Sequence, residues 1–264
     1  MRSGNEPILQ IEDLSVGYDG VPLGSGITFS VRPGELAALI GPNGAGKTTI
    51  IRTAANQIPP IRGRILLEGK DISQMNGREI AKIMSLVMTT RLDPELMTCE
   101  DIVNTGRHPY TGILGILSDE DRGIVKESME LVNVYDLKDR LFSRISDGQR
   151  QRVMLARALA QQPRLLIMDE PTSFLDIKYK LELMRLVRGI VEERGLAVLI
   201  SMHEIDLACK TADTIVCIKD ACVDRIGTPA EIFNAEYISH LYDITVDGYN
   251  WLYGNGEKED SSHE

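Results

Sequence analysis

Residues Gly41, Pro42, Asn43, Gly44, Ala45, Gly46, Lys47, Thr48 and Thr49 spell a complete phosphate loop, G-x-x-x-x-G-K-[ST]. This stretch constrains the fold more than any other, because the pattern works only between a buried strand and a helix. The apolar run Leu36 to Ile40 predicts the strand, and Thr48 to Asn56, free of Gly and Pro, predicts the helix. Gly41, Gly44 and Gly46 let the backbone curl so that successive N–H groups point at phosphate oxygens. The helix adds the positive end of its dipole. Lys47 reaches the β- and γ-phosphates as a point charge, and the Thr48 hydroxyl suits Mg²⁺. The chain is therefore expected to hold a nucleoside triphosphate with Mg²⁺.

The rest of the sequence reads as an α/β protein. Strands are expected at 8–11 and 27–32, flanking a turn from Gly17 to Gly26, then at Gly63 to Gly69 and Met84 to Met88. Further strands are expected at Leu165 to Met168 and Leu196 to Ile200, and a hairpin from Thr214 to Ile226. Helical spacing marks 119–133, 149–160 and Leu181 to Val191, with short helices up to Tyr242. Strands and helices alternate at both ends, while 91–162 is mainly helical and reads as an insertion. The division expected is 7–245 as one domain, with a core of 7–90 and 163–245, followed by a tail over 246–264 that is polar from Gly254 and partly disordered.

The strand Leu165 to Met168 ends in Asp169 and Glu170. Two carboxylates at the end of a buried strand are costly unless a cation or a water uses them. Beside a phosphate loop, Asp169 is placed to hold Mg²⁺ through water and Glu170 to polarise the attacking water.

The formal net charge of −10 argues against a general nucleic-acid surface. The first seven residues lack the apolar core of a signal peptide, and no apolar run is long enough to cross a bilayer. A cytoplasmic chain, attached to a membrane through a partner, is the expectation. Cys99, Cys209, Cys217 and Cys222 lack paired metal-ligand spacing and read as reduced packing residues.

Residues Ile145 to Arg152, with Ser146, Asp147, Gly148 and Gln149, are similar to the L-S-G-G-Q-x-Q-R signature of ATP-binding cassette (ABC) proteins. The resemblance spans roughly residues 8–245 and keeps the family's order: phosphate loop, helical insertion, signature, Asp-Glu strand, then His203. It implies a RecA-like P-loop NTPase core with an antiparallel β subdomain and an inserted α-helical signature subdomain. It also implies ATP and Mg²⁺ as ligands, and hydrolysis of ATP to ADP and phosphate coupled to translocation. Tyr18 resembles the aromatic residue that stacks on adenine. Ser173 to Asp176 resemble the loop that contacts a second cassette, and His203 the histidine that touches the γ-phosphate. Ser146 to Gln149 would bind ATP held by a second copy of the chain, because a helix N-terminus with a close-approaching glycine accepts phosphate.

Two positions depart from the family. The usual Gln after the strand at 84–88 is replaced by Thr89, or Thr90 in a slipped register, so Mg²⁺ is expected to rest mostly on Thr48 and Asp169. Asp147 replaces the first signature Gly. It suits the helix dipole but would repel phosphate, so it is expected to point away and accept a hydrogen bond from an Arg or a backbone N–H. The segment Thr98 to Gly112 is similar to a stretch in importers of iron–siderophores, haem and cobalamin. That likeness implies transmembrane permease subunits as partners, an external binding protein, and a place on the cytoplasmic face of the inner membrane. The rival readings are a cassette ATPase in DNA repair or on ribosomes, an exporter cassette, and a clamp that closes on ATP with little turnover.

Overall fold

The computed structural model describes residues 6–88, 94–112 and 115–253. Thr89 and Thr90, and the tail from Gly254, lie outside the described residues. In chain order the elements begin with β1 (Leu9–Tyr18), β2 (Val21–Val31), β3 (Leu36–Ile40), α1 (Lys47–Ala54), β4 (Arg62–Leu67), β5 (Lys70–Asp71), α2 (Gly77–Ala81) and β6 (Met84–Met88). The helices α3 (Cys99–Asn104), α4 (Asp119–Leu131) and α5 (Asp147–Ala160) follow. The chain then returns through β7 (Leu165–Asp169), α6 (Ile177–Arg194), β8 (Ala197–Ser201), α7 (Ile205–Thr211), β9 (Thr214–Lys219) and β10 (Cys222–Gly227). It finishes with α8 (Pro229–Ile232), α9 (Ala235–Tyr242) and α10 (Val246–Tyr253).

Two sheets organise these elements. The larger has the order β10-β9-β3-β8-β7-β6, parallel from β9 through β6, with β10 antiparallel at its edge. The smaller is antiparallel, in the order β2-β1-β4-β5. Every residue of β3, β7 and β8 is buried, because helices or the second sheet cover both faces. Alternate residues of β3 serve opposite cores. Ala37 and Leu39 join the cluster that includes Ile50 and Ile51 of α1 and residues of the small sheet. Leu36, Ala38 and Ile40 join the cluster with α5 and α6. The phosphate loop is thus rooted in a strand clamped on both sides.

Two expectations change. The stretch 17–26 is not one turn. β1 runs to Tyr18 and pairs it with Val21, so Asp19 and Gly20, both at positive φ, form a two-residue hairpin turn. The chain also does not leave helical structure at Tyr242, because α10 takes up Val246 to Tyr253. Among the described residues no helix is long and apolar enough to cross a membrane.

Candidate functional site

The loop leaves β3 at Gly41, whose φ is +152° and where a Cβ would stand 2.0 Å from the Ile218 carbonyl oxygen of β9. Only glycine fits there. Gly46, at φ +90°, turns the chain into α1, and a Cβ on it would press on Ala221 of the β9–β10 turn at 2.9 Å. Ala221 in turn donates its N–H to the Ala45 carbonyl at 3.1 Å. No side chain caps α1, and its first turn carries no acid, so its leading N–H groups are open to an anion.

Lys47 is buried and folds back over the loop, donating to the carbonyls of Gly41 at 2.7 Å and Pro42 at 3.0 Å. Burial is the main influence on its ammonium and lowers its pKa, against the opposing pull of Glu170 and Asp169. Asp169 is buried at the end of β7, where burial raises its carboxyl above the ordinary value. Its Oδ1 accepts from Ser201 Oγ at 2.8 Å and from Thr48 Oγ1 at 3.3 Å. Two hard oxygen donors converge, and one is a carboxylate whose charged form lacks solvent. That set fits Mg²⁺, which binds through few protein oxygens and retains water and phosphate ligands.

Glu170 follows with φ at +48°, a left-handed conformation for a non-glycine residue. Three bonds hold it there. Its N–H donates to Ser201 Oγ at 2.9 Å, its Oε2 accepts from Ser173 Oγ at 3.3 Å, and its Oε1 lies 2.5 Å from His203 Nε2. Leu23, the loop residues Asn43 to Thr49, Glu170 and His203 together line a cleft of about 440 Å³. Tyr18 is not part of that lining. Its ring is half exposed, and its hydroxyl lies 3.3 Å from Thr49 Oγ1 at the start of α1.

Ser146, Asp147, Gly148 and Gln149 open α5 and do not line the cleft. Ser146 is the N-cap of a reciprocal capping box: its hydroxyl accepts from the Gln149 N–H at 3.3 Å, and the Gln149 side chain accepts from the Ser146 N–H at 3.0 Å. Asp147 lies 3.8 Å from Arg150 Nη1, an ion-pair separation along the first turn of α5. Gly148 has a neighbour within its own chain, since a Cβ there would stand 3.1 Å from the ring of Tyr179.

Sequence reasoning missed Ser201, which joins Asp169 to Glu170, and Leu23, which forms a wall of the cleft. Neither belongs to a local pattern; β8 and the β1–β2 hairpin deliver them from afar. Within the importer-like segment, Gly106 and Arg107 face inward. A Cβ on Gly106 would stand 2.2 Å from the Arg157 carbonyl oxygen. Arg107 is buried, paired with Asp121 at 2.8 Å and bonded to the Ala160 carbonyl at 2.7 Å. These two residues lock α3, α4 and α5 together.

The family model of the ABC transporter matches residues 25–173, more than half of the chain. An uncharacterised ABC transporter ATP-binding protein of Methanocaldococcus jannaschii is 42% identical over 247 residues, covering 94% of this chain and 85% of that protein. The iron(3+)-hydroxamate import ATP-binding protein FhuC of Bacillus subtilis is 33% identical, covering 90% of this chain and 89% of its own length. Among solved structures, cbiO1 of Clostridium perfringens, part of the ABC transporter complex cbiONQ, superposes with a TM-score of 0.78 at 28% identity, over 89% of this chain and 94% of that one. With its phosphate loop and Glu170–His203 pair lining one cleft and Asp169 bonded to Thr48 behind it, the chain belongs to the ABC transporter family, as an ATP-binding and ATP-hydrolysing subunit homologous to those of iron–siderophore import.

Proposed function

We propose that this subunit powers import of a metal chelate of the ferric-siderophore class. The likeness to FhuC across nearly the whole of both chains supports the substrate class. The observation that carries the chemistry is the pairing of Glu170 with His203 at the edge of the phosphate-loop cleft.

In this reading the loop N–H groups from Gly41 to Thr49 and the start of α1 take up the phosphates of ATP. Lys47 exchanges its two carbonyl acceptors for β- and γ-phosphate oxygens. Thr48 and Asp169 hold Mg²⁺, which neutralises charge on those oxygens when bound. Glu170 accepts the proton of the attacking water, and His203 orients that carboxylate and reaches the γ-phosphate. Tyr18 stacks on adenine, and its bond to Thr49 ties that platform to α1.

Residues 7–245 act as one cassette, with about 91–162 as its helical insert. Ser146 to Gln149 serve the ATP of a second copy, so the working unit is a dimer beneath two permease subunits on the cytoplasmic face of the inner membrane. The groove lined by Ile80, Met84, Met88 and Met154 together with the polar Gln57, Arg157 and Gln161 lies between the core and that insert, and this mixed lining suits a permease segment.

Cells carrying Glu170→Gln test the proposal. Uptake of radiolabelled ferric siderophore is expected to stop. The purified variant is expected to keep its ATP affinity while turnover falls by about two orders of magnitude or more. Unchanged turnover would remove Glu170 from its role, and unchanged uptake would remove the substrate class.

A further inference from the structure

One charged cluster stands beside the hydrolytic pair without touching the cleft. Glu204 follows His203 at the residue before α7, and its two carboxylate oxygens serve different elements. Oε2 accepts from the Thr172 hydroxyl at 2.9 Å, and Oε1 pairs with the Lys180 ammonium. Thr172 is buried two residues beyond Glu170. Lys180 sits in the first turn of α6, where its N–H bonds to the Asp176 carbonyl at 3.0 Å. Burial is the largest influence on the Glu204 carboxyl and pushes it up. The bonds from Lys180 and Thr172 outweigh it and hold the group below its ordinary value.

The same stretch of α6 is fastened to the signature helix α5. Glu182 pairs with Arg152, and the Tyr179 ring lies against Gly148. One short run of helix, 179–182, therefore touches both the helix that opens with Ser146 and the residue next to His203. Glu170, meanwhile, keeps a left-handed backbone that persists only where its surroundings over-determine it. None of Thr172, Lys180 and Glu204 lines the cleft, so none is needed to hold nucleotide.

We propose that Glu204, gripped by Lys180 and Thr172, is a positioning residue that fixes the loop bearing Glu170 against the loop bearing His203, and that its anchor on α6 joins this pair to the signature helix of the same chain. The inference rests on the reading that Glu170 and His203 act on ATP. Loss of the tie leaves the two loops joined only at their roots, by the β7–β8 pairing and the Ser201 hydroxyl, and by the reacting groups themselves. A misplacement of about 1 Å suffices to cost orders of magnitude in rate.

The test is steady-state hydrolysis of Mg²⁺-ATP by the purified full chain. Lys180→Met and Glu204→Gln are each expected to lower kcat about tenfold while KM for ATP stays within about twofold, and Lys180→Arg is expected to recover most of the loss. A merely structural role would instead lower Tm and move kcat and KM together, with Lys180→Arg no better than Lys180→Met. That pattern, or unchanged kcat, overturns the proposal. Glu170→Gln in the same assay separates the two levels. If it abolishes turnover while the Lys180 and Glu204 variants keep theirs, the site reading stands and the clamp fails. If it turns over like the wild type, the site reading fails and the clamp with it.

Discussion

Asp169 is a residue whose burial sets its charge against the stability of the fold. Its carboxylate is almost wholly withdrawn from water, and the two hydroxyls on its Oδ1 do not offset that withdrawal, so its pKa stays above the ordinary value. The sign follows directly. Below the ordinary carboxyl pKa the group is protonated in both folded and unfolded chains and contributes nothing. As pH rises, the unfolded chain releases the proton first, and the folded state loses stability until the raised folded pKa is passed. Above that raised pKa the nucleotide-free protein carries a destabilising charge that Mg²⁺ would offset. Asp169→Asn is expected to raise the Tm of the nucleotide-free chain by about 2–4 °C, the shift that roughly 1 kcal/mol brings in a chain of this size. The same variant is expected to lose the Mg²⁺-dependent part of its ATP affinity. Calorimetry with and without Mg²⁺-ATP checks both, and a Tm that falls in both conditions would show that the charge is structural.

At the scale of elements, Gly148 separates two demands that a signature glycine can meet. Within the chain it makes room for Tyr179 of α6; between copies it would admit a phosphate. A methyl group 3.1 Å from the ring forces a shift of a few tenths of an ångström. Gly148→Ala is thus expected to cost about 1 kcal/mol by overpacking, partly repaid by alanine's better helix propensity. Adding Tyr179→Ala removes the clash. If packing were the glycine's only purpose, the double variant would regain both Tm and ATPase activity. We expect Tm to recover and ATPase activity to stay low, which chemical denaturation and a hydrolysis assay resolve together.

The same level shows what the sequence made legible. β3, β6, β7 and β8 are short, apolar and fully or mostly buried, so hydrophobicity located them to within a residue or so. The β1–β2 hairpin was harder to see, because Asp19, Gly20, Gly24 and Gly26 look like one long loop. Gly24 is in fact a strand residue where a Cβ would stand 1.8 Å from the Ala221 carbonyl oxygen. The phosphate loop, Asp169 and Glu170 are local patterns and could be read directly. Ser201 reaches Asp169 across β7–β8 pairing, and Lys180 meets Glu204 across 24 residues of chain. Such partners exist only once the topology is set, and no periodicity records them.

For the whole molecule, the decisive fact is which residues the cleft gathers and which it leaves out. The phosphate loop, Glu170 and His203 line it, while the capped start of α5 lies outside the lining. The proposed phosphate contact of Ser146 to Gln149 therefore has no target within its own chain's cleft. In the proposed dimer, a second copy turned so that each α5 N-terminus meets the other's γ-phosphate would complete both sites at once, an isologous arrangement that closes. The formal net charge of −10 per chain opposes that approach, so bound nucleotide must supply the attraction locally while salt screens the rest beyond about 8–10 Å. Three consequences follow for sedimentation of Glu170→Gln, which is expected to bind ATP without consuming it. With Mg²⁺-ATP it should sediment as a dimer, with ADP as a monomer because the γ-phosphate is missing, and the ATP dimer should strengthen between low and physiological salt. Ser146→Ala, which removes one half of the capping box, should weaken the dimer while leaving ATP binding to the monomer intact. A monomer at every nucleotide and salt concentration, with ATP demonstrably bound, would mean that α5 meets a different partner and that the cleft is closed by some other surface.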